Sequence, residues 1–456
     1  MNACRILRSL AIIATAIAGT VLGEQWAFGQ NVSDTKPSPQ QVAWQDLEFG
    51  VLIHFGTNTF LDKEVGDGDA DPKVFNPSDF DAEQWMRAIK SAGAKYVVLV
   101  AKHHDGFCLW PSDETDYTVK NSPWRNGKGD VVREVATAAR KYGLKFGVYL
   151  SPYDRHDKRF HGDPAAYDEY YLSQVNELSS NYGDLVEFWM DGAGSGGHPY
   201  DFDRIIQQLR IKQPNTLVFA DTELYKFADI RWVGNEDGTV GFENWNVVDR
   251  TGYLRWRPVE ADTALRHGHW FWHTDSDSSL KSLDELMTEY NETIGRGAQL
   301  MLGIAPNNRG LVSDVDVRRL REFGEALQKI YGHDLIVEKN AQGSAKAALD
   351  GNPDTFWSAP KDSHSAVIDV TFPAPVTFDR ALTMEWLNDG QHVQKYSIEI
   401  KDRGVWKSVA DGQAIGNKKI DIFSPVTAQQ VRLNLISTSS EAHIREFQLF
   451  NGTEGR

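Results

Sequence analysis

The stretch DAEQWMRAIKSAGAKYVVLVAKHHDG, residues 81–106, reads as one complete helix-then-strand unit. Asp81 can cap a helix start, Gln84 stands three residues on, Trp85 and Ile89 recur at helical spacing, and Gly93 ends the helix. The apolar run Tyr96–Val100 then has the length of a buried strand, and it ends abruptly in His103, His104 and Asp105. The unit returns as GDVVREVATAARKYGLKFGVYLSP, with Asp130 as cap, Gly143 as stop and Phe146–Leu150 as strand. It returns again as GDPAAYDEYYLSQVNELSSNYGDLVEFWMDG, with Asp163 as cap, Pro164 at the first helical position, Gly183 as stop and Leu185–Met190 as strand. Three consecutive units predict a parallel sheet.

Further strands are expected at Val51–His54, Leu217–Ala220, Arg231–Gly234, His269–His273 and Gln299–Ile304. About eight strands are what a (β/α)8 barrel of the TIM type needs, and no strand runs into the glycine-rich phosphate loop of a doubly wound nucleotide fold. Such barrels build their sites at the C-terminal ends of the strands. The polar cluster after Val100 therefore belongs to a floor shared with His54, Tyr149 to Asp154, Asp191, Glu236 and Trp270 to His273.

After about residue 335 the pattern changes to short alternating runs, AVIDVTF, ALTMEWL, YSIEIKD, QQVRLNLI and HIREFQLF, with turn residues between them. Period-two alternation of this kind predicts an all-β antiparallel sandwich. The expected organisation is thus an α/β chain: a segment 1–29, a polar and loosely ordered stretch 30–44, a (β/α)8-type TIM-like barrel over 45–335 and a sandwich over 336–456. Residues 1–29 place Arg5 and Arg8 before the apolar run Leu10–Leu22 and then small residues, the order of a signal peptide cleaved after Gly23 or Gly29. Export to a periplasm or the extracellular medium is expected. Of the two cysteines, Cys4 lies in that segment, which leaves Cys108 as a small buried hydrophobe without a partner for a disulfide.

A net charge of −16 disfavours nucleic acid and anionic membranes as partners. Fourteen Trp and fifteen Tyr suit flat contacts with the C–H faces of sugars. Asp191 ends a strongly apolar strand and Glu236 follows one or two strands later. Two carboxylates about 5–5.5 Å apart are what cleavage of a glycosidic bond with retention requires, one as nucleophile and one as proton donor. Residue type alone leaves each acid free to be a turn or helix cap instead, and Asp105, Asp154, Asp221, Glu223 and Glu243 are further acids at strand ends. His54, His103, His104 and His273 allow a metal reading. Against it, no pair has the i, i+4 spacing of a zinc helix, and adjacent His103 and His104 would face opposite ways in a strand. Trp110, Tyr149, Trp189, Trp270 and Trp272 could form an apolar wall, and polar neighbours single out Trp110, Tyr149 and Trp272.

FGVLIHFG, KYVVLVAKHHDGFCLW, LKFGVYLSP, EFWMDGA and LMLGIAPNNRG, in this order over residues 45 to 330, resemble the catalytic domain of glycoside hydrolase family 29, the retaining α-L-fucosidases. The resemblance implies Asp191 as nucleophile, and His54, His103, His104, Tyr149 and Trp110 as fucose-binding residues; Trp272 joins them as a substrate-binding candidate on its polar neighbours alone. RWVGNEDG and WRPVEADTALRHGHWFWH resemble the subgroup acting on α-1,3 and α-1,4 fucosyl branches. That implies Glu236 as acid/base and Glu64 as a further ligand, although Val65 stands where the subgroup has an aromatic. A fucosylated oligosaccharide or glycoconjugate is the implied partner, and no redox or organic cofactor is implied. AALDGNPDTFWSA, residues 347–359, resembles discoidin-like coagulation factor 5/8 type C domains, many of them carbohydrate-binding. There Asp350, Asn352 and Thr355, with Glu446, could hold a structural calcium, or form an ordinary turn. The alternatives are a broad-specificity α-L-fucosidase, a metal-dependent barrel hydrolase using the histidines, and a glycan-binding protein without turnover.

Overall fold

The computed structural model describes residues 35–221, 226–248 and 254–452. The 1–29 segment with its cleavage sites, and Glu223, lie outside the described residues. Among the described residues no helix is long and apolar enough to cross a membrane.

Eight parallel strands form the first unit: β1 (Phe49–Ile53), β2 (Tyr96–Lys102), β3 (Lys145–Leu150), β4 (Glu187–Met190), β5 (Leu217–Ala220), β6 (Arg231–Trp232), β7 (Val259–Ala264) and β8 (Gln299–Ile304). They pair in the order β5-β4-β3-β2-β1-β8-β7-β6. A single bridge between Phe219 and Ile230 joins the outer strands, so the barrel is nearly closed. Asp81, Asp130 and Asp163 each cap their helix by accepting a backbone N–H three residues on. Gly93, Gly143 and Gly183 end those helices with positive φ, where a side chain would be strained. Gln84 does not complete a capping box; its amide is spent on the Val312 backbone, which ties this helix to the far side of the β8 loop.

The expected strand His269–His273 is a loop, and the barrel's seventh strand is Val259–Ala264. Its sequence VEADTA alternates apolar and acidic residues like an exposed edge, yet all six residues are buried because Glu260 and Asp262 point into the barrel lumen. The 30–44 stretch also departs from expectation. Pro39–Gln45 is a helix with a complete Ser38–Gln41 capping box, and its Trp44 donates to Glu187 Oε2 at 3.1 Å. Trp44, Tyr96, Trp189, Phe219 and Met301 fill the lumen. Around them Glu187 and Glu260 share Trp44, Trp189 and Tyr96 as hydrogen-bond donors. Burial pushes both carboxyls up, helped by the charge of Glu260 at Glu187 and by that of Asp262 at Glu260, which rises to about 8.

The C-terminal strands form one seven-stranded antiparallel sheet. The expected run AVIDVTF and the first five residues of ALTMEWL lie in one 20-residue strand, β9 (Ala366–Glu385), which bends through register shifts. β10 (Val393–Asp402), β11 (Val405–Gly412), β12 (Lys419–Thr438), β13 (His443–Phe450) and the two-residue strands Gln342–Gly343 and Trp357–Ser358 complete it, with an apolar core of its own. Strand β11 has no counterpart in the sequence reading, because VWKSVADG is too polar to stand out.

Candidate active site

Period-two alternation places the site. Glu187 and Trp189 face the lumen, so Asp191 continues the same row at the C-terminal rim of β4. Leu52 puts His54 there by the same rule, and Glu260 puts Asp262 there. One residue before the end of its strand, Tyr149 of β3 stacks on Trp189 with ring centroids 5.6 Å apart. Its hydroxyl donates to Asp191 Oδ2 at 2.8 Å. Ala193 N–H donates to Asp191 Oδ1 at 2.8 Å, and His104 Nε2 lies 3.5 Å from Oδ2. Burial raises the Asp191 pKa, but the contacts from His104, Ala193 and Tyr149 outweigh it, and the net shift is downward. Asp191 is therefore held as an anion in a partly buried setting.

The histidines surround it as expected, with one correction. His103 and His104 do not face opposite ways: β2 ends at Lys102, the chain turns, and the two rings lie 4.3 Å apart. Gly106 permits that turn, with φ +90° and a position where a Cβ would sit 2.3 Å from Asp154 Oδ1. His104 Nδ1 is fixed by Ser151 Oγ at 2.6 Å. His54 lies 5.7 Å from His103 and 5.1 Å from Trp270, between ring centroids. Burial dominates both imidazoles, lowering His54 to about 3 and His103 well below its usual value, so both are neutral. Nδ1 of each is buried without a protein partner.

Glu236 sits on the loop after β6, exposed, and accepts from Trp270 Nε1 at 3.0 Å. Trp270 in turn packs over Gly303 of β8, where a Cβ would stand 2.5 Å from the indole. That glycine lets the indole lie flat between His54 and Glu236. A cavity of about 390 Å³ opens beside Glu236, lined also by Asp237, His267, His269, Trp270 and Lys281. Asp191 is not in its lining; the bridge between the two acids runs through Trp270, His54 and Tyr149.

Glu64 accepts the N–H of Trp270 at 3.0 Å and meets His269 Nδ1 and His273 Nε2 at 3.2 and 2.7 Å. Of the four histidines open to a metal reading, only His273 falls in a group with ligand spacing, with Glu64 and His269, among the described residues. Trp272 is half-buried on that same loop, while Trp270 and Phe271 are the residues packed on His54. Trp110 departs from expectation: it is buried in the shell between strands and helices, its indole donating to Glu177 at 2.7 Å. Its polar neighbours serve that anchor.

The other strand-end acids are structural. Asp105 accepts from Thr57 Oγ1 at 2.6 Å, and Asp154 is ion-paired with Lys102 at 3.0 Å in full burial. Asp221 accepts the Gly192 N–H, and Glu243 takes two N–H groups of the C-terminal domain. Asp262 is the rim residue that sequence reasoning missed. It is buried, accepts from Trp232 Nε1 at 2.7 Å, and is pushed up to about 7 by burial, Glu236 and Asp191. Its interaction with both acids places them around one rim.

The residues proposed for calcium fit a cation. Thr355 Oγ1 lies 3.1 Å from Ala347 O, 3.0 Å from Asn352 O and 3.1 Å from Asp350 Oδ2. Glu446, 1% exposed, has a buried Oε1 without a partner. Burial and the charges of Asp350 and Asp334 push it up to about 7. The Thr355 hydroxyl can donate to only one of these acceptors at a time and Glu446 Oε1 has none, so spare acceptor oxygens converge here, which is what a hard cation relieves.

Comparison with known proteins accounts for the pattern. Residues 69–332 match the family model for α-L-fucosidase. The chain belongs to the α-L-fucosidase family. Residues 336–447 match the F5/8 type C domain. α-L-Fucosidase 1 of Arabidopsis thaliana is 36% identical over 84% of this chain and 81% of its own. A glycoside hydrolase 29 family member from a rumen bacterium superposes with a TM-score of 0.81 at 34% identity, covering 93% of this chain and 78% of its own. A Ruminococcus gnavus family 29 fucosidase solved with fucose reaches 0.85 at 29% identity, covering 92% and 96%.

Proposed function

We propose that this α-L-fucosidase removes terminal fucose by double displacement with retention, Asp191 acting as nucleophile and Glu236 as acid/base. The observation that carries this reading is Asp191 itself. It is an ionised carboxylate at a barrel rim, oriented by Tyr149 and His104 beneath two neutral imidazoles. Asp191 attacks the anomeric carbon while Glu236 protonates the departing glycosidic oxygen. Glu236, now a carboxylate, then takes a proton from water as that water displaces Asp191 from the sugar. His54, His103 and Glu64 bind the fucose hydroxyls, with Trp272 at the edge of the site. Phe271, packed on His54 and His103, offers an apolar contact for the C6 methyl.

The substrate class we assign is α-1,3- and α-1,4-linked fucose on branched, Lewis-type glycans, because the cavity beside Glu236 leaves room for a bulky leaving group. Release rates from an aryl fucoside, 2′-fucosyllactose and a Lewis trisaccharide test it. The trisaccharide should be cleaved much the fastest, and equal rates on all three would show broad specificity. Proton NMR of the first-formed fucose should show the α anomer; the β anomer would refute retention. A chelator should leave turnover intact. Lost turnover that added metal restores would point instead to the Glu64, His269 and His273 group. In the C-terminal domain, Asp350, Asn352, Thr355 and Glu446 would hold a structural calcium. The N-terminal segment supports export of the mature enzyme.

A further inference from the structure

The loop that carries Glu236, residues 233–246, is held from two sides. On the barrel side, Gly238 N–H donates to Asp262 O at 3.2 Å and Val240 N–H to Glu292 O at 3.0 Å, while Arg296 donates to Val240 O at 2.6 Å. On the other side the C-terminal domain anchors Phe242, Glu243, Asn244 and Asn246, alongside Arg231, which donates to Asn244 Oδ1 and Trp245 O, and Arg257, whose N–H donates to Asn246 O. Lys419 donates to Phe242 O and lies 3.7 Å over the Phe242 ring. Both oxygens of Glu243 are used, accepting Gln413 N–H at 3.0 Å and Ala414 N–H at 2.8 Å. Gln391 donates to Asn244 O at 3.2 Å and accepts from Asn246 N and Nδ2 at 3.1 and 3.0 Å.

These contacts are built rather than incidental. Lys419 and Gln391 are buried, and a buried ammonium that faces a carbonyl and a ring is worth desolvating only where both are fixed. Gln391 belongs to a segment that Glu385 secures, by accepting the N–H groups of His392 and Val393 at 2.8 and 3.0 Å. Glu385 also accepts Gly416 N–H at 2.8 Å, next to the turn that supplies Gln413 and Ala414. One buried carboxylate thus sets both ends of the clamp. Glu236 itself is exposed and its carboxylate accepts from Trp270; its backbone runs between Val233, whose N–H donates to Glu260 O at 3.0 Å, and Gly238, and the clamp fixes the course of the segment that follows.

We infer that the C-terminal domain is part of the catalytic apparatus, with Glu243 and Lys419 as positioning residues that hold the Glu236 loop in register with Asp191. This rests on the reading of Glu236 as acid/base. Displacement of a proton donor by about 1 Å can cost on the order of 100-fold in rate. The loss falls only on leaving groups that need a proton.

The test uses the full-length enzyme with Glu243→Gln and Lys419→Met, each beside its conservative partner, Glu243→Asp and Lys419→Arg. Glu236→Ala is the reference. The measured quantity is kcat/KM on a Lewis trisaccharide and on α-L-fucosyl fluoride, whose leaving group departs without protonation. The first two variants should lose about 10- to 100-fold on the trisaccharide and under about 3-fold on the fluoride, the pattern of Glu236→Ala in weaker form. Lys419→Arg should recover part of the loss. Equal losses on both substrates, or none on either, beside a Glu236→Ala variant that spares the fluoride, would overturn the inference alone. A Glu236→Ala variant that loses both substrates equally would overturn the acid/base reading, and the inference with it.

Discussion

Replacing Tyr149 by Phe should move the acid limb of the pH profile upward. Asp191 has two short hydrogen bonds, from Tyr149 Oη and Ala193 N, each 2.8 Å, and a longer approach from His104 Nε2 at 3.5 Å. Together they overcome the burial that would otherwise raise its pKa. The substitution removes one short bond and leaves the ring stacked on Trp189. A hydrogen bond to a charged acceptor is worth about 1.5–3 kcal/mol, and 1.36 kcal/mol corresponds to one pKa unit, so the Asp191 pKa should rise by about 1–2. The sign follows from the function of the anion. Asp191 attacks only when ionised, so activity is present above its pKa and lost as pH falls through it. The variant should lose activity at a higher pH than the parent, with a smaller deficit at neutrality. The assay is kcat/KM on the trisaccharide between about pH 4 and 8, with circular dichroism as a check on folding. An acid limb that stays in place, or moves down, would refute the reasoning.

Asp191→Gly should be almost inactive, and azide should restore turnover with fucosyl azide as product; undiminished activity would exclude Asp191 as nucleophile. Glu260, raised to about 8, should make the barrel lose stability as pH climbs above its unfolded value of about 4.5 and through 8, since the unfolded chain gives up that proton more readily. Glu260→Gln should flatten that slope in urea unfolding, and an unchanged slope would contradict the burial argument. Calcium should raise the unfolding temperature of the C-terminal domain above about pH 7, where Glu446 must otherwise ionise without a partner, and Glu446→Gln should abolish the effect. Asp154→Ala strands the buried Lys102 ammonium and should cost about 3–5 kcal/mol in urea unfolding; a loss below about 1 kcal/mol would show that water reaches the pair.

The barrel was legible because its signals are local. Each of Asp81, Asp130 and Asp163 precedes its own helix, each stop glycine follows it, and the apolar strands come next. His54 and Asp191 follow from their strands by alternation, whereas His103 and His104 lie just past the end of β2, where the chain turns. What failed depends on contacts distant in sequence. Val259–Ala264 looks like an exposed strand because its two acids are buried against Trp189 and Trp232, which come from other strands. Trp110 looks like a site residue until the helix bearing Glu177 takes its indole N–H. His269 joins Glu64 only because a loop after β7 folds over the mouth of β1. The clamp on the Glu236 loop spans two domains, and no pattern within either one announces it.

The most direct measurement is the mass of the enzyme after reaction with a 2-deoxy-2-fluoro-fucosyl fluoride, followed by proteolysis and sequencing of the labelled peptide. One fluorofucosyl adduct per chain, on Asp191, is the expected result. An adduct on another side chain, or turnover of natural substrate through the β anomer with no adduct formed, would contradict the account.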